Sequence, residues 1–575
     1  MAKVSSYFAT LTVLTCFAAG SAWAAAPAEG EHPGKGIYVR LCQECHGDRG
    51  QGVDGKYDEP LTGERTVEAL ARKIEKTMPE DNEGACVGPD AVAVAAYMYE
   101  AFYSPAAQAR INPPAKEVAR LTVPQLRNSV MDVLGRFRMG VGFDRPLAGE
   151  PGLKAVYRGV ELPKPGEVAV DTTPKEGIKK KRPNKTIEKV EPGIAFHWGP
   201  DSPVKETLEA EQFENRFEGC VIAPETGVYE FAVKSENGFR LWINDGDDGQ
   251  ELIDGWVSAG PEVREEKKSI FLVGGRGYLV RLDHFKFKEK SASLELWWKP
   301  PHGVAEIIPA QALRTERPRE LMIVSTNFPA DDRSVGYERG TTISKEWQQA
   351  VTEAAIATME HVVANLDALA QTKAGAPDRA EKLRKFADMF VETAYRRPLT
   401  DEDKRRYVEA HFSAAGSPET AVKRVVLFAL TSPRFLYPGV QAGAQAGAQA
   451  DDFDVASRLA LALWDSVPDK KLWQAAAAGK LRTREQVLAE ARRMVGDPRA
   501  KAKMQGFFHH WLDLEHAEGT SKDPKAFPGF NQEVLADLRE SLLQFIDSVV
   551  WSEGSDYRGL LKADYLLLNE RLGKF

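Results

Sequence analysis

The stretch Cys42-Gln43-Glu44-Cys45-His46 decides the fold of the N-terminal part of the chain. On a helical turn, residues three positions apart project to the same side, so the thiols of Cys42 and Cys45 can both form thioethers with the vinyl groups of a porphyrin. The next residue, His46, then directs a ring nitrogen at the iron. The stretch therefore predicts one covalently attached c-type haem, held by Cys42, Cys45 and His46.

Two other uses of a Cys-x-x-Cys pair fit the sequence less well. A zinc site needs a second pair of ligands, and the chain has no other Cys-x-x-Cys. A thioredoxin-like motif is expected within a βαβ pattern, which is missing around Cys42. The sequence therefore favours haem attachment over a zinc or thiol redox site.

Met78 is the predicted second axial ligand of the haem iron. Thr77-Met78-Pro79 follows His46 by 32 residues, in a loop-like stretch before the next helix. A thioether is a soft, neutral ligand that raises the reduction potential of a haem. The alternative is a methionine that only fills a gap in the core, and Met98 is the competing ligand. Because Met98 lies inside a predicted helix, Met78 is favoured.

Residues 34–103 resemble a class I cytochrome c. The matching parts are Gly36 to Leu41, which lead into the haem motif, then Met78-Pro79, and the helix from Asp90 to Tyr99. The resemblance implies an all-α domain in which a Met-Pro loop supplies an axial ligand and the last helix packs against the first. It also implies single-electron transfer as the activity.

The first 24 residues are typical of a secretory signal peptide. Lys3 supplies positive charge, Phe8 to Ala19 form a short apolar run, and Ser21-Ala22-Trp23-Ala24 offers a cleavage site. The apolar run is too short for a membrane anchor, and no other stretch is apolar enough to span a bilayer. We expect a mature chain with no transmembrane segment that is periplasmic or otherwise exported. The formal net charge of −8, without a basic half, argues against a nucleic-acid partner.

Residues 151–314 show a period of two, which predicts an antiparallel β-sandwich. Tyr229, Phe231 and Val233 alternate with polar or small residues, and turns rich in Gly, Asn and Asp separate such runs. The segments Gly152 to Tyr157, Phe217 to Phe231, Arg240 to Asn244 and Leu294 to Trp298 resemble the module named after anthrax protective antigen. In that family the module often binds carbohydrate, in some lectins through calcium held by two adjacent aspartates.

The predicted calcium turn departs from that family pattern. Where the aspartates are expected, this chain has Ser235-Glu236-Asn237-Gly238, so Glu236 and Asn237 are the candidate oxygen ligands. Asp245 and Asp247 form a second acidic turn, whose alternative role is a solvated hairpin tip. Trp256 and Trp298 can stack on sugar rings, although core packing is the commoner role of tryptophan in a sandwich.

The remaining segments have helical periodicity. Residues 104–150 form a linker segment with a helix from Leu121 to Gly135, and helical domains are predicted over 344–437 and 451–575. Together with the haem motif, Phe390 to Glu402, Ala429 to Tyr437 and Ala456 to Leu472 resemble the large multidomain cytochromes abundant in planctomycetes. Members of that family continue well beyond a segment like Leu567 to Arg571, so the resemblance implies that the last domain is truncated.

The predicted fold is therefore multidomain, with a small all-α cytochrome c domain, an all-β antiparallel sandwich and a mainly α-helical C-terminal region. The predicted function is single-electron transfer by an exported c-type cytochrome, with a redox partner protein or small electron carrier and a sandwich that binds carbohydrate or a partner. Two alternatives stay open. One is a polysaccharide-binding protein with an accessory haem, and the other is a haem-linked oxidoreductase whose active site lies in the helical region.

Overall fold

A computed structural model describes residues 32–111, 119–138, 149–162, 184–245, 249–257, 260, 262–439, 450–514 and 519–575. The predicted signal peptide (residues 1–24) and Asp247 lie outside these residues. The chain divides into two compact units, Met1–Glu117 and Val118–Phe575.

The first unit is a small helical domain. Its described helices are α1 (Pro33–Leu41), α2 (Gln43–His46), α3 (Val67–Thr77), α4 (Pro89–Met98) and α5 (Pro105–Ile111), with a π-helical turn over Tyr99–Tyr103. Helix α1 packs closely on α4 at Gly34, where a Cβ atom would lie 2.0 Å from the carbonyl oxygen of Ala93. The apolar face of α3 and α4 completes a core that includes Tyr38, Ile74 and Val94.

The second unit contains the sandwich. Its described strands are β1 (Leu153–Glu161), β2 (Asn184–Glu191), β3 (Ala195–Gly199), β4 (Leu208–Ala223), β5 (Gly227–Ser235), β6 (Gly238–Ile243), β7 (Ile253–Gly255), β8 (Arg264–Leu272), β9 (Arg276–Phe287), β10 (Ala292–Lys299), β11 (Glu306–Ile307) and β12 (Leu313–Arg314).

These strands form two antiparallel sheets. One has the order β2-β1-β4-β9-β6-β7, with β12 also on β4, and the other has the order β11-β10-β5-β8, with β3 also on β10. The alternation seen in the sequence sets which face is buried: Tyr229, Phe231 and Val233 are each 0% exposed and belong to the core between the sheets. This agrees with the general rule that inward side chains of two packed sheets build the core.

The same unit contains the helical region. Its described helices are α6 (Val123–Gly135), α7 (Lys345–Ala364), α8 (Leu366–Leu369), α9 (Arg379–Ala394), α10 (Asp401–Lys404), α11 (Ala410–Ala414), α12 (Pro418–Thr431), α13 (Pro433–Leu436), α14 (Asp452–Trp464), α15 (Lys470–Ala477), α16 (Arg484–Val495), α17 (Pro498–Trp511), α18 (Gln532–Val550), α19 (Arg558–Lys562) and α20 (Glu570–Lys574).

Helix α6 precedes the sandwich in sequence but packs with the helices that follow it. Thr122 and Gln125 form a capping box at its start. Leu126 and Val130 lie in one core with residues of α7, α9 and α12, while Met131 contacts the core of the sandwich. The helix therefore lies where the apolar cores of the sandwich and the helical region meet.

The predicted fold class is confirmed: N-terminal helices, a central antiparallel sandwich and a helical C-terminal region share one chain. In the part of the chain that the structure describes, no helix combines the length and the apolar character that crossing a bilayer requires.

Candidate functional site

The Cys42–His46 stretch forms the helical turn that the motif requires. The backbone amide of Cys42 donates to the carbonyl oxygen of Tyr38 at 2.8 Å, so the stretch continues directly from α1. The amides of Cys45 and His46 both donate to the carbonyl oxygen of Cys42, at 3.2 and 2.9 Å. Gly47 ends the turn with a φ of 78°, a conformation that glycine adopts without strain. Cys42 and Cys45 are therefore one helical turn apart, as predicted.

His46 lies inside the domain with a nitrogen that the described residues do not satisfy. The residue is 8% exposed, and its Nδ1 atom is buried with no hydrogen-bond partner among them. Burial lowers the pKa of His46, and the positive charge of Lys73 lowers it further. The neutral imidazole, which keeps a lone pair for a metal, is the favoured form.

The loop after His46 is fixed by three hydrogen bonds. The hydroxyl of Tyr38, buried in α1, donates to the carbonyl oxygen of Gly47 at 2.7 Å. The amide of Gly52 donates to the carbonyl oxygen of His46 at 3.0 Å, and the amide of Leu61 donates to Gly50 at 2.7 Å. The ring of Tyr57 packs edge-on against the ring of His46, with 4.5 Å between centroids. These contacts hold the histidine in place, and the motif alone did not identify Tyr38 or Tyr57 as its neighbours.

The two cysteines of the motif have different environments. Cys45 is exposed, whereas Cys42 is half-buried against the core. Burial raises the pKa of the Cys42 thiol to about 12, and the neighbouring Cys86 and Cys45 add to this. Two thiols one turn apart beside a neutral, buried histidine suit the donor set that a c-type haem needs.

Met78 lies directly after α3, and its amide donates to the carbonyl oxygen of Ile74 at 3.0 Å. Its half-buried side chain packs against the same core that Cys42 and Tyr57 contact. Met98 is 5% exposed and belongs to the interior of that core, within α4. Met78 thus lies at the edge of this core, directly after α3, whereas Met98 lies within it.

The two sandwich turns proposed for calcium lie at opposite ends of β6. Asn237 precedes this strand and Asp245 follows it, a separation of roughly 20 Å for six extended residues. Asn237 is 0% exposed, its side-chain nitrogen donates to the carbonyl oxygen of Ser291, and its side-chain oxygen lies 3.3 Å from His284 Nε2. Glu236 accepts a hydrogen bond from the Ser291 hydroxyl. The side chains of this turn are thus used in hydrogen bonds within the sandwich. Among the described residues, no group of three or more His, Cys, Asp or Glu side chains could hold a metal ion.

Four family models match separate parts of the chain. Residues 30–98 match the model described as cytochrome C oxidase, cbb3-type, subunit III, and residues 149–312 match the PA14 domain. Residues 382–438 and 450–575 match two models described as proteins of unknown function, DUF1595 and DUF1592. No curated protein matches the chain.

Solved structures match about a third of the chain with low overall similarity. An anti-sigma factor domain-containing protein is 22% identical, with 30% of this chain and 51% of that chain covered and a TM-score of 0.23. The PA14 sugar-binding domain from an RTX adhesin is 15% identical, with 29% and 99% covered and a TM-score of 0.21. The A domain of epithelial adhesin 6 from Candida glabrata, solved with Galb1-3GlcNAc, is 14% identical, with 34% and 100% covered and a TM-score of 0.24. The chain spans about half the length of the first two structures that it matches.

The chain therefore combines a cytochrome c domain, a PA14 domain and two helical domains of unknown function, which is the domain combination that the sequence predicted. A cytochrome c domain implies haem.

Proposed function

We propose that the chain is an exported c-type cytochrome that carries single electrons through one haem, covalently held by Cys42 and Cys45 and ligated by His46 and Met78. The observation that carries the proposal is the turn from Cys42 to His46, in which the thiols are one turn apart and the buried His46 ring has an unsatisfied nitrogen. The cytochrome model match over 30–98 supports it.

Each residue of the site has a defined task in this proposal. Cys42 and Cys45 would anchor the group to the helix, and His46, whose ring is held by Tyr57 and the Gly47 loop, would bind the iron. Met78 would supply a neutral thioether as the second ligand. The haem supplies a centre that gains and loses one electron, and burial by the protein core sets how easily it does so. The chain itself then excludes water and keeps the ligands from rearranging.

A redox titration of the exported protein tests the proposal. Stepwise reduction and reoxidation with a small mediator, followed in the visible spectrum, should give a reversible transition of one electron per chain. Sequencing of the purified protein should begin after Ala24, the proposed cleavage site. A spectrum without haem bands, or a transition of more than one electron, would contradict the proposal.

For the sandwich, we propose binding of carbohydrate or a partner, supported by the PA14 match over 149–312. Trp298 is 3% exposed and its indole nitrogen donates to Glu306 at 3.1 Å, so it serves the core. Trp256 is only half-buried, and its ring packs against Phe285 and the Arg240 guanidinium. A polysaccharide pull-down that is weakened in Trp256→Ala, but not in Trp473→Ala on α15 outside the sandwich, is the expected result. Equal retention of both variants would exclude Trp256 from binding.

A further inference from the structure

A large cleft lies within the second unit, between the sandwich and the C-terminal helices. Its volume is about 1860 Å³. Its walls come from the segment Pro300–Gly303 of the sandwich, from Tyr337 in the loop before α7, from Phe507 in α17 and from Glu540 in α18. Sites for small ligands usually measure about 300–1,000 Å³. The cleft is therefore large enough for a ligand of several rings.

Many of the charged side chains that line the cleft pair with one another. Glu338 accepts from Arg333 at 3.0 Å and lies 3.2 Å from His510 Nε2. Burial acts to raise the pKa of Glu338, but its contacts with His510 and Arg333 hold the pKa below its ordinary value, so the carboxylate stays charged. On the other wall, Arg539 contacts Glu225 at 2.6 Å.

The same pairing continues along α17. Lys501 lies 2.8 Å from Asp547, and Lys503 contacts Asp465. Because these charges are compensated within the cleft, an ionic ligand of either sign meets little excess of opposite charge. The paired carboxylates still keep lone pairs, since each can accept about four hydrogen bonds. The cleft thus offers hydrogen-bond acceptors without a strong net field.

Flat aromatic rings are accessible in the same cleft. Tyr337 is 48% exposed, Phe507 is 39% exposed and Trp551 is 36% exposed. Aromatic ring faces are apolar and can pack against the C–H groups of a ligand. The polar groups of the same ligand can then donate hydrogen bonds to the carboxylates of the cleft. The combination of aromatic faces with paired carboxylates that keep free lone pairs favours a neutral ligand that is rich in hydroxyl groups.

We propose that this cleft binds an oligosaccharide segment without charged groups, as a site separate from the Trp256 face of the sandwich. Sugar hydroxyls donate to the carboxylates, and ring faces lie on Tyr337 and Phe507. An extended peptide would be recognised through its main chain at a sheet edge, whereas the groups that carry this site are side chains on helices and turns. The site does not involve the haem. A failure to bind sugar here would therefore leave the electron-transfer proposal unaffected.

Isothermal titration calorimetry on the full haem-containing chain tests this site. The probes are the neutral hexamers of glucose, mannose and xylose, the anionic hexamer of galacturonic acid and the cationic hexamer of glucosamine. We expect at least one neutral hexamer to bind, and its charged counterparts to bind more weakly. Tyr337→Ala and Phe507→Ala should each raise Kd about three- to tenfold, the value of one lost aromatic contact.

Tyr557→Ala is the matched control, because Tyr557 is 55% exposed and does not line the cleft. Its Kd should equal that of the wild type. If the folded protein binds none of the neutral hexamers, or if Tyr337→Ala binds them as the wild type does, the proposal is wrong. Stronger binding of a charged hexamer, or binding of an unrelated extended peptide at the same residues, would also overturn it.

Discussion

The carboxylate of Asp132 in α6 lies 2.6 Å from the guanidinium of Arg276 in β9, with Arg499 of α17 on the same carboxylate at 3.1 Å. The Ser466 hydroxyl, after α14, also donates to Asp132 at 2.6 Å. One side chain thus joins three parts of the second unit: the helix before the sandwich, the sandwich itself and the C-terminal helices. The Asp132 side chain is only 15% exposed. Its carboxylate therefore compensates the charges of Arg276 and Arg499 where water has little access.

Removal of this carboxylate should destabilise the second unit strongly. Asp132→Ala leaves Arg276 and Arg499 without their shared counter-charge, and breaking a buried pair costs about 3–5 kcal/mol. Tryptophan fluorescence during urea unfolding reports on this unit, because apart from Trp23 all tryptophans of the chain lie beyond residue 118. Asp556→Ala, which removes an exposed ion pair with Arg558, is the control and should change the transition little. A loss in Asp132→Ala no larger than in the control would contradict the expected role.

The contribution of Asp132 should vanish in acid. Burial alone would raise its pKa, but Arg276 and Arg499 lower it to about 2 from the ordinary 3.8. A carboxyl whose folded pKa is depressed stabilises the fold above its unfolded pKa, and this stabilisation is lost as the pH falls from about 4 to about 2. The difference in unfolding free energy between wild type and Asp132→Asn should therefore be constant near neutral pH and shrink below pH 4. A difference that does not change down to pH 2 would show that the carboxylate is not the stabilising species.

Tyr38 should hold the loop after the Cys42–His46 turn. Its hydroxyl satisfies the carbonyl oxygen of Gly47 inside the domain, and Tyr38→Phe leaves that oxygen without its partner at a cost of about 1–3 kcal/mol. Hydrogen exchange followed by mass spectrometry should show that the amides of residues 33–52 exchange faster in Tyr38→Phe than in the wild type. Tyr97→Phe is the control, since the Tyr97 hydroxyl makes no hydrogen bond to the described residues. Equal exchange in the two variants would mean that the Tyr38 hydrogen bond does not stabilise the loop.

The elements of the fold were largely predictable because local patterns determine them. Alternation at Tyr229, Phe231 and Val233 marked a strand, and helical periodicity marked a helix from Leu121 to Gly135, which the structure shows as Val123–Gly135. The cluster around Asp132 could not be predicted in the same way. Arg276 and Arg499 are 144 and 367 residues away from Asp132 in sequence. Local sequence patterns on α6 do not indicate that its aspartate contacts residues so far along the chain.

Of the candidate haem site, only the residues that lie within one helical turn were predictable from the sequence. Cys42, Cys45 and His46 lie within five residues, so their spacing alone gives the geometry. The packing of Tyr57 on His46 and the bond from Tyr38 to Gly47 depend on how the loop folds back, which spacing does not encode. Glu236 and Asn237 are candidate ligands only through the family resemblance, which could not show that the Asn237 side chain is directed into the sandwich to meet His284.

Met78 should control the reduction potential. Without its thioether, Met78→Ala should have a lower potential, by a part of the roughly 0.8 V range that axial ligands span in haem proteins. The visible spectrum should change with it. Met98→Leu, a core substitution of similar volume, should keep the wild-type potential and spectrum. If Met78→Ala matches the wild type while Met98→Leu differs, Met98 is the ligand instead.

One haem should be covalently bound at the Cys42–His46 turn. Intact-mass measurement of the exported protein, before and after extraction with acidified acetone, tests this attachment. The expected mass is that of the mature chain plus one haem, which extraction does not remove, and the added mass should be lost in the Cys42→Ser, Cys45→Ser double variant. A wild-type protein that has the mass of the bare chain, or that releases its haem to the solvent, would contradict it.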